Sequence, residues 1–453
     1  MEIFKHPKSA HLWEVAKQVI PGGIMSNFKK GTNYQPTYFK YGEGARIFDS
    51  DGNEYIDYDL SYGPTILGHR NQYLTEAIVK QTRDFYCGPT NELAAEAARK
   101  ICTHVPSAEK VRFTCSGSEA NLYAAAVARG YTGRDKIVRF AGHYHGMGAG
   151  LVGGIVTDPD NPIITEGEEA GDIFSKMTHT AGRESDVYRN CYMIEWNDLP
   201  ALEILFKKYG EDIAAVFMEP VMTNWFGCMP EPGYLEGVRE LCTKYGVVLI
   251  FDEVLTGFRM GLGGAQGYFG VTPDLTTLAK AIGGGYPVSA FCGKDEIMDV
   301  VTRGDLIAAG TYNGHPVAMA AVIATIEELE RNNGAVYKEI DRLGHMIKDG
   351  FEDIAKSYGV SLLIQGYPGA WDFTVTPRKK IINNKEGLGD GLPKAGELST
   401  YLLERGILSV VRLFTSTAHT DEDVKEALVR ADDAIKEFAK AQKSGEETKS
   451  TLM

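Results

Sequence analysis

The chain has 453 residues, 43% of them hydrophobic and 24% charged, with 51 glycines, which suffices for two or three domains and a sizeable core. Its 61 acidic residues against 47 basic ones give a net charge of −14, which argues against nucleic acid or an anionic membrane as the main partner. The opening stretch lacks an apolar leader core and no run of about 18 apolar residues occurs, so neither a signal peptide nor a membrane span is expected.

In chain order, residues 37–60 carry short alternating strands around Asp51-Gly52, a predicted hairpin. Seven cysteines, Cys87, Cys102, Cys115, Cys191, Cys228, Cys242 and Cys292, show no C-x-x-C spacing. A disulfide framework or zinc knuckle is therefore not expected, and a reducing, cytoplasmic location is. Next, "CSGSEANLYAAAVARG" places Ser116-Gly117-Ser118 before an alanine-rich helix. Ser118 is the expected N-cap, and the open N–H groups of the first turn would suit a phosphate. On this motif alone a plain cap without a ligand is the commoner outcome.

"AGHYHGMGAGLVGG" follows, with His143, Tyr144 and His145. No third metal ligand accompanies the two histidines, so no metal is expected and loop hydrogen bonding is their ordinary role. Tyr144, in a glycine-rich loop that a flat ligand can approach, is the candidate stacking face.

The middle of the chain alternates helices and buried strands. "NDLPALEILFKKYG" reads as a helix capped near Asn197 or Asp198 and stopped by Gly210, and "IAAVFMEP" as a buried strand. "GYLEGVRELCTKYG" is a helix ending at Gly246, and "VVLIFDEV" another strand. That order means βαβ units and a parallel sheet, whose ligands sit beyond the carboxyl ends of the strands. Asp252 and Glu253 stand at one such end and Glu219 at another. A half-buried Asp252 must be paired. An ion pair with Arg259 and a counter-ion role for a protonated ring nitrogen both remain open from the residues alone.

In "LTTLAKAIGGGYP", Lys280 is the only charged side chain between Asp274 and Lys294. Lysine in apolar surroundings loses hydration, its pKa falls, and the neutral amine becomes a nucleophile toward an aldehyde. By itself it reads more readily as a lysine snorkelling from a helix edge. Together with a phosphate turn, a stacking tyrosine and a buried aspartate, it describes a pyridoxal 5′-phosphate site. From about residue 334 a long helix opens a C-terminal α+β portion, which closes with a helix started by Thr420 with Asp423 three residues on. The last residues, "KSGEETKSTLM", read as a frayed polar tail.

These motifs, with "IPGGIMSNFKKG", "ARIFDSDGNEYIDYDLSYGPTILGH", "GTYNGHPVAMAA" and "TSTAHTDEDV", resemble the class III aminotransferases of fold type I, and within them the glutamate-1-semialdehyde aminomutase group. The resemblance covers nearly the whole chain. It implies an α/β fold with a mostly parallel seven-stranded sheet in a large cofactor-binding domain, 76–330. A small α+β domain would be built from both termini, 1–75 and 331–453. It further implies that Lys280 is the Schiff-base lysine and Asp252 the partner of the pyridine nitrogen. Gly117 and Ser118 match the phosphate turn, and Tyr144 and Val254 the two faces of the ring. Thr311 matches the threonine that reaches the neighbouring subunit's phosphate, hence a homodimer with a shared active site.

The chain also departs from that group. Where the aminomutases read "NSPVRAF", with an arginine for the substrate carboxylate, it reads "MSNFKK", placing Phe28 and Lys29 there; Tyr62 stands where they carry tryptophan. An arginine-to-lysine exchange at a bidentate site is not conservative. Arg412, with Tyr62 and Lys29, is the candidate for binding substrate. The expected function is an aminotransferase moving an amino group between an amine or unusual amino acid and a keto acid by a ping-pong mechanism. The alternative is an intramolecular aminomutase. A third reading, a non-catalytic phosphate-ligand or metal-binding protein, would use only the 116–118 turn and the histidine pair.

Overall fold

The computed structural model describes residues 3–30, 36–148, 150–151, 190–388 and 391–444. The polar tail falls almost wholly outside them. Two compact units emerge: Met1–Asn71, Lys338–Lys380 and Asp390–Met453 form one, and Gln72–Tyr337 with Ile381–Gly389 the other.

Among the described residues the strands are, in chain order, β1 (Phe39–Glu43), β2 (Arg46–Asp49), β3 (Glu54–Asp57), β4 (Lys110–Thr114), β5 (Lys136–Phe140), β6 (Cys191–Ile194) and β7 (Ile213–Met218). They continue with β8 (Val248–Glu253), β9 (Leu275–Leu278), β10 (Ser289–Gly293), β11 (Leu362–Tyr367), β12 (Ala370–Val375), β13 (Ile407–Leu408) and β14 (Arg412–Phe414).

The larger unit is organised by a seven-stranded sheet in the order β4-β10-β9-β8-β7-β5-β6. Only β10 runs against its neighbours. Every residue of β7 and β8 is buried, as expected of apolar runs covered on both faces. The alanine-rich helix Gly117–Thr132 lies against this sheet. Its Ala120, Ala124, Ala125 and Ala128 are buried, and small side chains let the helix approach closely while Phe217, Ile250 and Phe291 supply the apolar bulk. Each such large side chain contributes about 1.5–3 kcal/mol.

The helix Leu199–Tyr209 starts at Asp198, whose carboxylate accepts from the Ala201 amide, and stops at Gly210; the helix Tyr234–Tyr245 ends at a left-handed Gly246. Both follow the sequence signals.

The smaller unit holds two antiparallel-dominated sheets, β1-β2-β3-β13 and β11-β12-β14. The β2–β3 hairpin turns through Gly52 at φ 96°, where a side chain would be strained. A core of Ile347, Phe351, Phe373, Leu398, Leu413 and Phe438 lies between these elements and the helix Asp421–Ser444. Thr420 and Asp423 cap that helix reciprocally.

One feature had no sequence signal. Residues 381–389, late in the chain, belong to the larger unit, held where the Asn197 side chain donates to the Ile382 carbonyl at 2.8 Å. Beside them, both Glu195 carboxyl oxygens are buried, with the backbone of Asn384 and Lys385 next to them. Burial raises Glu195 to about 7, with Lys385 opposing the shift. The folded state therefore binds this proton more tightly than the unfolded chain. The group's contribution to stability is complete below its unfolded value and is lost as pH rises toward 7. Chemical denaturation from pH 5 to 8 should show Glu195→Gln losing less stability than the parent, by up to about 3 kcal/mol. Parallel curves would mean that Glu195 is ionised throughout.

Candidate active site

The carboxyl ends of β4, β5, β7, β8 and β9 lie along one edge of the large sheet. There the chain delivers Ser116–Ser118, Tyr144, Glu219, Asp252 and Lys280 in turn. Parallel pairing of β8 with β9 sets Asp252 opposite Thr277 and Glu253 opposite Leu278, so Asp252 and Lys280 leave adjacent strands.

Lys280 is half-buried and has φ 47°, a left-handed conformation costing a side-chain-bearing residue about 1–2 kcal/mol. It opens a short 3-10 turn, Lys280–Gly283, followed by left-handed Gly284 and Gly285. Those glycines let the chain turn away at once. Strain of this kind collects at functional sites.

The phosphate turn differs from expectation in its cap. Ser116, not Ser118, is the N-cap of Gly117–Thr132: its hydroxyl accepts from the Glu119 amide, and the Glu119 carboxylate accepts from the Ser116 amide. A glutamate three residues on is the partner of a capping box, and only Ser116 has one. Gly117 and Ser118 are then the first helical residues, with amides that serve no intrahelical bond. A Cβ on Gly117 would come within 3.0 Å of Val254 and 3.6 Å of Ala279. The turn thus packs between the residue two after Asp252 and the residue before Lys280.

Asp252 is 4% exposed. One carboxylate oxygen, Oδ2, accepts from the Asn121 amide at 2.8 Å and from His145 Nδ1 at 2.8 Å. The other, Oδ1, accepts from the Val254 amide at 3.0 Å. Arg259 is not among its partners, which disposes of that ion pair. Neighbouring Glu253 points to the opposite sheet face, where Thr256, Ala265 and Gln266 satisfy it and hold the helix Gly264–Phe269. Strand alternation separates the two acids.

The loop carrying Tyr144 is clamped by Glu219. The Glu219 amide donates to His143 Nδ1 at 3.0 Å, and its carboxylate accepts from the Tyr144 amide at 2.7 Å, Asn224 at 2.8 Å and Thr223 at 2.8 Å. Burial, with Asp252 nearby, raises the Glu219 carboxyl. Burial, followed by His145 and Arg139, holds His143 well below the usual histidine range, so it stays neutral. Burial and Asp252 likewise raise the Tyr144 phenol. Sequence reasoning singled out Tyr144 and passed over Asn121 and the bond from His145 to Asp252. The spacing of the histidines drew notice without indicating where their rings point.

Thr311 lies in an exposed turn of the same unit. The substrate candidates belong to the smaller unit. The Tyr62 hydroxyl donates to the Phe28 carbonyl, within the 3-10 turn Asn27–Lys30 that also presents an exposed Lys29. The Arg412 guanidinium stands 5.9 Å from the centre of the Tyr62 ring. Arg412 is 7% exposed and lies 3.3 Å from Asp372, because the β12–β14 register sets the two directly opposite. Tyr62 ends a run of three left-handed residues, Leu60, Ser61 and Tyr62.

The edge of the larger sheet fits pyridoxal phosphate on its own chemistry. Asp252 Oδ1, with one protein donor, has capacity for a ring N–H. Two first-turn amides serve no intrahelical bond, and a lysine follows β9. No helix among the described residues is long and apolar enough to cross a membrane.

Comparison with known proteins agrees with this arrangement. Residues 28–435 match the family profile described as "Aminotransferase class-III". Glutamate-1-semialdehyde 2,1-aminomutase 2 of Brevibacillus brevis is 40% identical, over 96% of this chain and 99% of that protein. The solved omega-transaminase from Sphaerobacter thermophilus is 30% identical with a TM-score of 0.86, over 95% of this chain and 98% of that one. A structure described as "Transaminase with PLP bound" is 27% identical, also with a TM-score of 0.86, over 97% and 100%. A profile match along most of the length, on a sheet edge that carries the lysine, the aspartate and the phosphate turn, places this chain in the class III aminotransferase family.

Proposed function

We propose that this pyridoxal-phosphate enzyme shifts an amino group within one molecule, as an aminomutase of the glutamate-1-semialdehyde type. The observation carrying this is the 40% identity to a named aminomutase over 96% of this chain and 99% of that protein. It reverses the order expected from the sequence, where transfer between two molecules stood first. Transfer between an amine or unusual amino acid and a keto acid is the second reading. It is favoured by the likeness to an omega-transaminase and by Phe28 and Lys29 in the region of the expected arginine.

Bound pyridoxal phosphate supplies an electron sink for the carbon that carries the amino group. Lys280 Nζ would be the nucleophile that holds the cofactor's aldehyde end, and its free amine would be the group that moves a proton at the substrate carbon. Asp252 would hold the proton on the ring nitrogen, Gly117 and Ser118 would bind the phosphate, and Tyr144 and Val254 would lie against the ring. Thr311 would reach the phosphate of a second copy in a homodimer. Ile307 and Tyr312 near it, 82% and 60% exposed, are the apolar surface such a contact would cover. Seven free cysteines suit a reducing cytoplasm.

The deciding experiment supplies glutamate-1-semialdehyde without any amino donor. The mutase reading expects the isomer with the amino group moved from C2 to C1. Turnover only when a separate donor and a keto acid are added would replace it with the second reading.

Arg412 is proposed as the partner of the substrate carboxylate, with Tyr62 and Lys29 beside it. Arg412→Ala should raise KM for carboxylate-bearing substrates at least about tenfold, since a charge-assisted pair contributes roughly 1.5 kcal/mol or more. Uncharged amines should be much less affected. Equal losses for both, with a lowered melting temperature, would leave Arg412 as the buried partner of Asp372 alone.

A further inference from the structure

We propose that Asp372 is a specificity-determining residue of the substrate subsite. It offsets the buried charge of Arg412 and so limits how strongly the subsite prefers a carboxylate over an uncharged group of the same shape. The inference rests on the reading of Arg412 as the partner of the substrate carboxylate, and it names what that partner accepts: a singly charged carboxylate or its neutral isostere.

The pair follows from strand register. β11, β12 and β14 set Gln365, Asp372 and Arg412 side by side across three strands, while the next row, Gly366, Trp371 and Leu413, alternates to the other face. Trp371 and Leu413 belong to the apolar core of the smaller unit, so the row of Asp372 and Arg412 faces away from it. Both are nonetheless hidden, at 5% and 7% exposure, with Arg412 Nε 3.3 Å from Asp372 Oδ1. All of these residues lie in one unit.

A hidden guanidinium without a counter-charge is costly, and an acid facing it at ion-pair distance reduces the field it presents to anything else. A substrate carboxylate arriving at Arg412 therefore gains attraction from the guanidinium and loses part of it to repulsion by Asp372. An uncharged group in its place leaves no bare cation behind, because Asp372 remains. A second acid acts on the same neighbourhood. Burial, then Asp59, raises the Tyr62 phenol, and Arg412, 5.9 Å from the ring centre, opposes them. Tyr62 stays neutral and adds no charge of its own. Stability alone is a weak reason for such a pair, since buried ion pairs are often no more stabilising than apolar side chains of similar size.

Valerate and valeramide share a shape and differ in charge. The ratio of their dissociation constants, measured by calorimetry on the protein loaded with pyridoxal phosphate, reads the subsite under either proposed reaction. In Asp372→Asn, which keeps an oxygen beside Nε and removes the charge, valerate should bind at least about fivefold more tightly relative to valeramide than in the parent. Asp372→Glu retains the charge and should keep the parent ratio within about twofold. Asp372→Ser, smaller and also uncharged, should follow the asparagine variant and replaces it if that variant does not fold. An unchanged ratio in the uncharged variants, or a glutamate variant that shifts as they do, overturns the proposal and leaves Asp372 a structural partner of Arg412. Arg412→Ala tests the reading beneath it. Loss of the parent's preference for valerate is expected, whereas a preference that survives removes Arg412 from the substrate site, and the inference with it, whatever the Asp372 variants do.

Discussion

Lys280→Ala should lose at least about four orders of magnitude in kcat/KM while keeping its fold and its affinity for the phosphate end of the cofactor. On the proposed assignment, the alanine variant lacks both the nucleophile that holds the cofactor and the base that moves the proton. Lys280 is the only charged residue in the apolar stretch from Leu275 to Gly293. Removing it also relieves little of the left-handed strain, since alanine at φ 47° is strained in the same way. The direct readout is borohydride reduction followed by peptide mass spectrometry. The parent should retain cofactor on the peptide containing Lys280, and the variant should retain none anywhere. Near-normal turnover, or labelling at another lysine, would move the nucleophile elsewhere.

Asp252→Asn should cost about two to four orders of magnitude in kcat with much less change in melting temperature. The asparagine side-chain oxygen can still accept from His145 and Asn121, so those two bonds survive and only the acceptor for the Val254 amide is lost. A neutral amide no longer favours the protonated ring nitrogen, and electron withdrawal by the cofactor weakens. Because Oδ2 is the oxygen that the protein engages twice, the isosteric amide should place its nitrogen toward the ring, where it opposes the N–H. Cofactor occupancy measured alongside kcat separates this loss from failure to bind. Unchanged kinetics would make Asp252 a structural acceptor for His145 and Asn121 only.

Local chemistry made much of the molecule legible in the sequence. The helix Leu199–Tyr209 with its Asp198 cap, the hairpin at Gly52 and the reciprocal Thr420–Asp423 cap each depend on residues within a few positions of one another. The strands β7 and β8 were readable because wholly apolar runs have to be covered on both faces. Once the fold was a parallel sheet, the carboxyl-end residues Asp252 and Lys280 were candidates by position as well as by type. The capping box was misread by two residues, since three small residues in a row, Ser116-Gly117-Ser118, can each cap, and the choice turns on which one Glu119 reaches.

What only the tertiary structure decided are the pairings between residues far apart in the chain. Asp252 and Glu253 are indistinguishable as letters, but strand alternation sends one to Asn121 and His145 and the other to Gln266 and Ala265. The return of residues 381–389 to the larger unit and the burial of Glu195 beside them leave no local pattern. Arg412 could be placed at the start of a strand from its neighbours, yet its partner Asp372 follows from strand register, forty residues away in the chain. By itself the sequence determined many of the elements and the cofactor, because these depend on short-range spacing and residue type. Which side chains brace those residues depends on register and on the faces that strands present, and these are settled only when distant segments pack together.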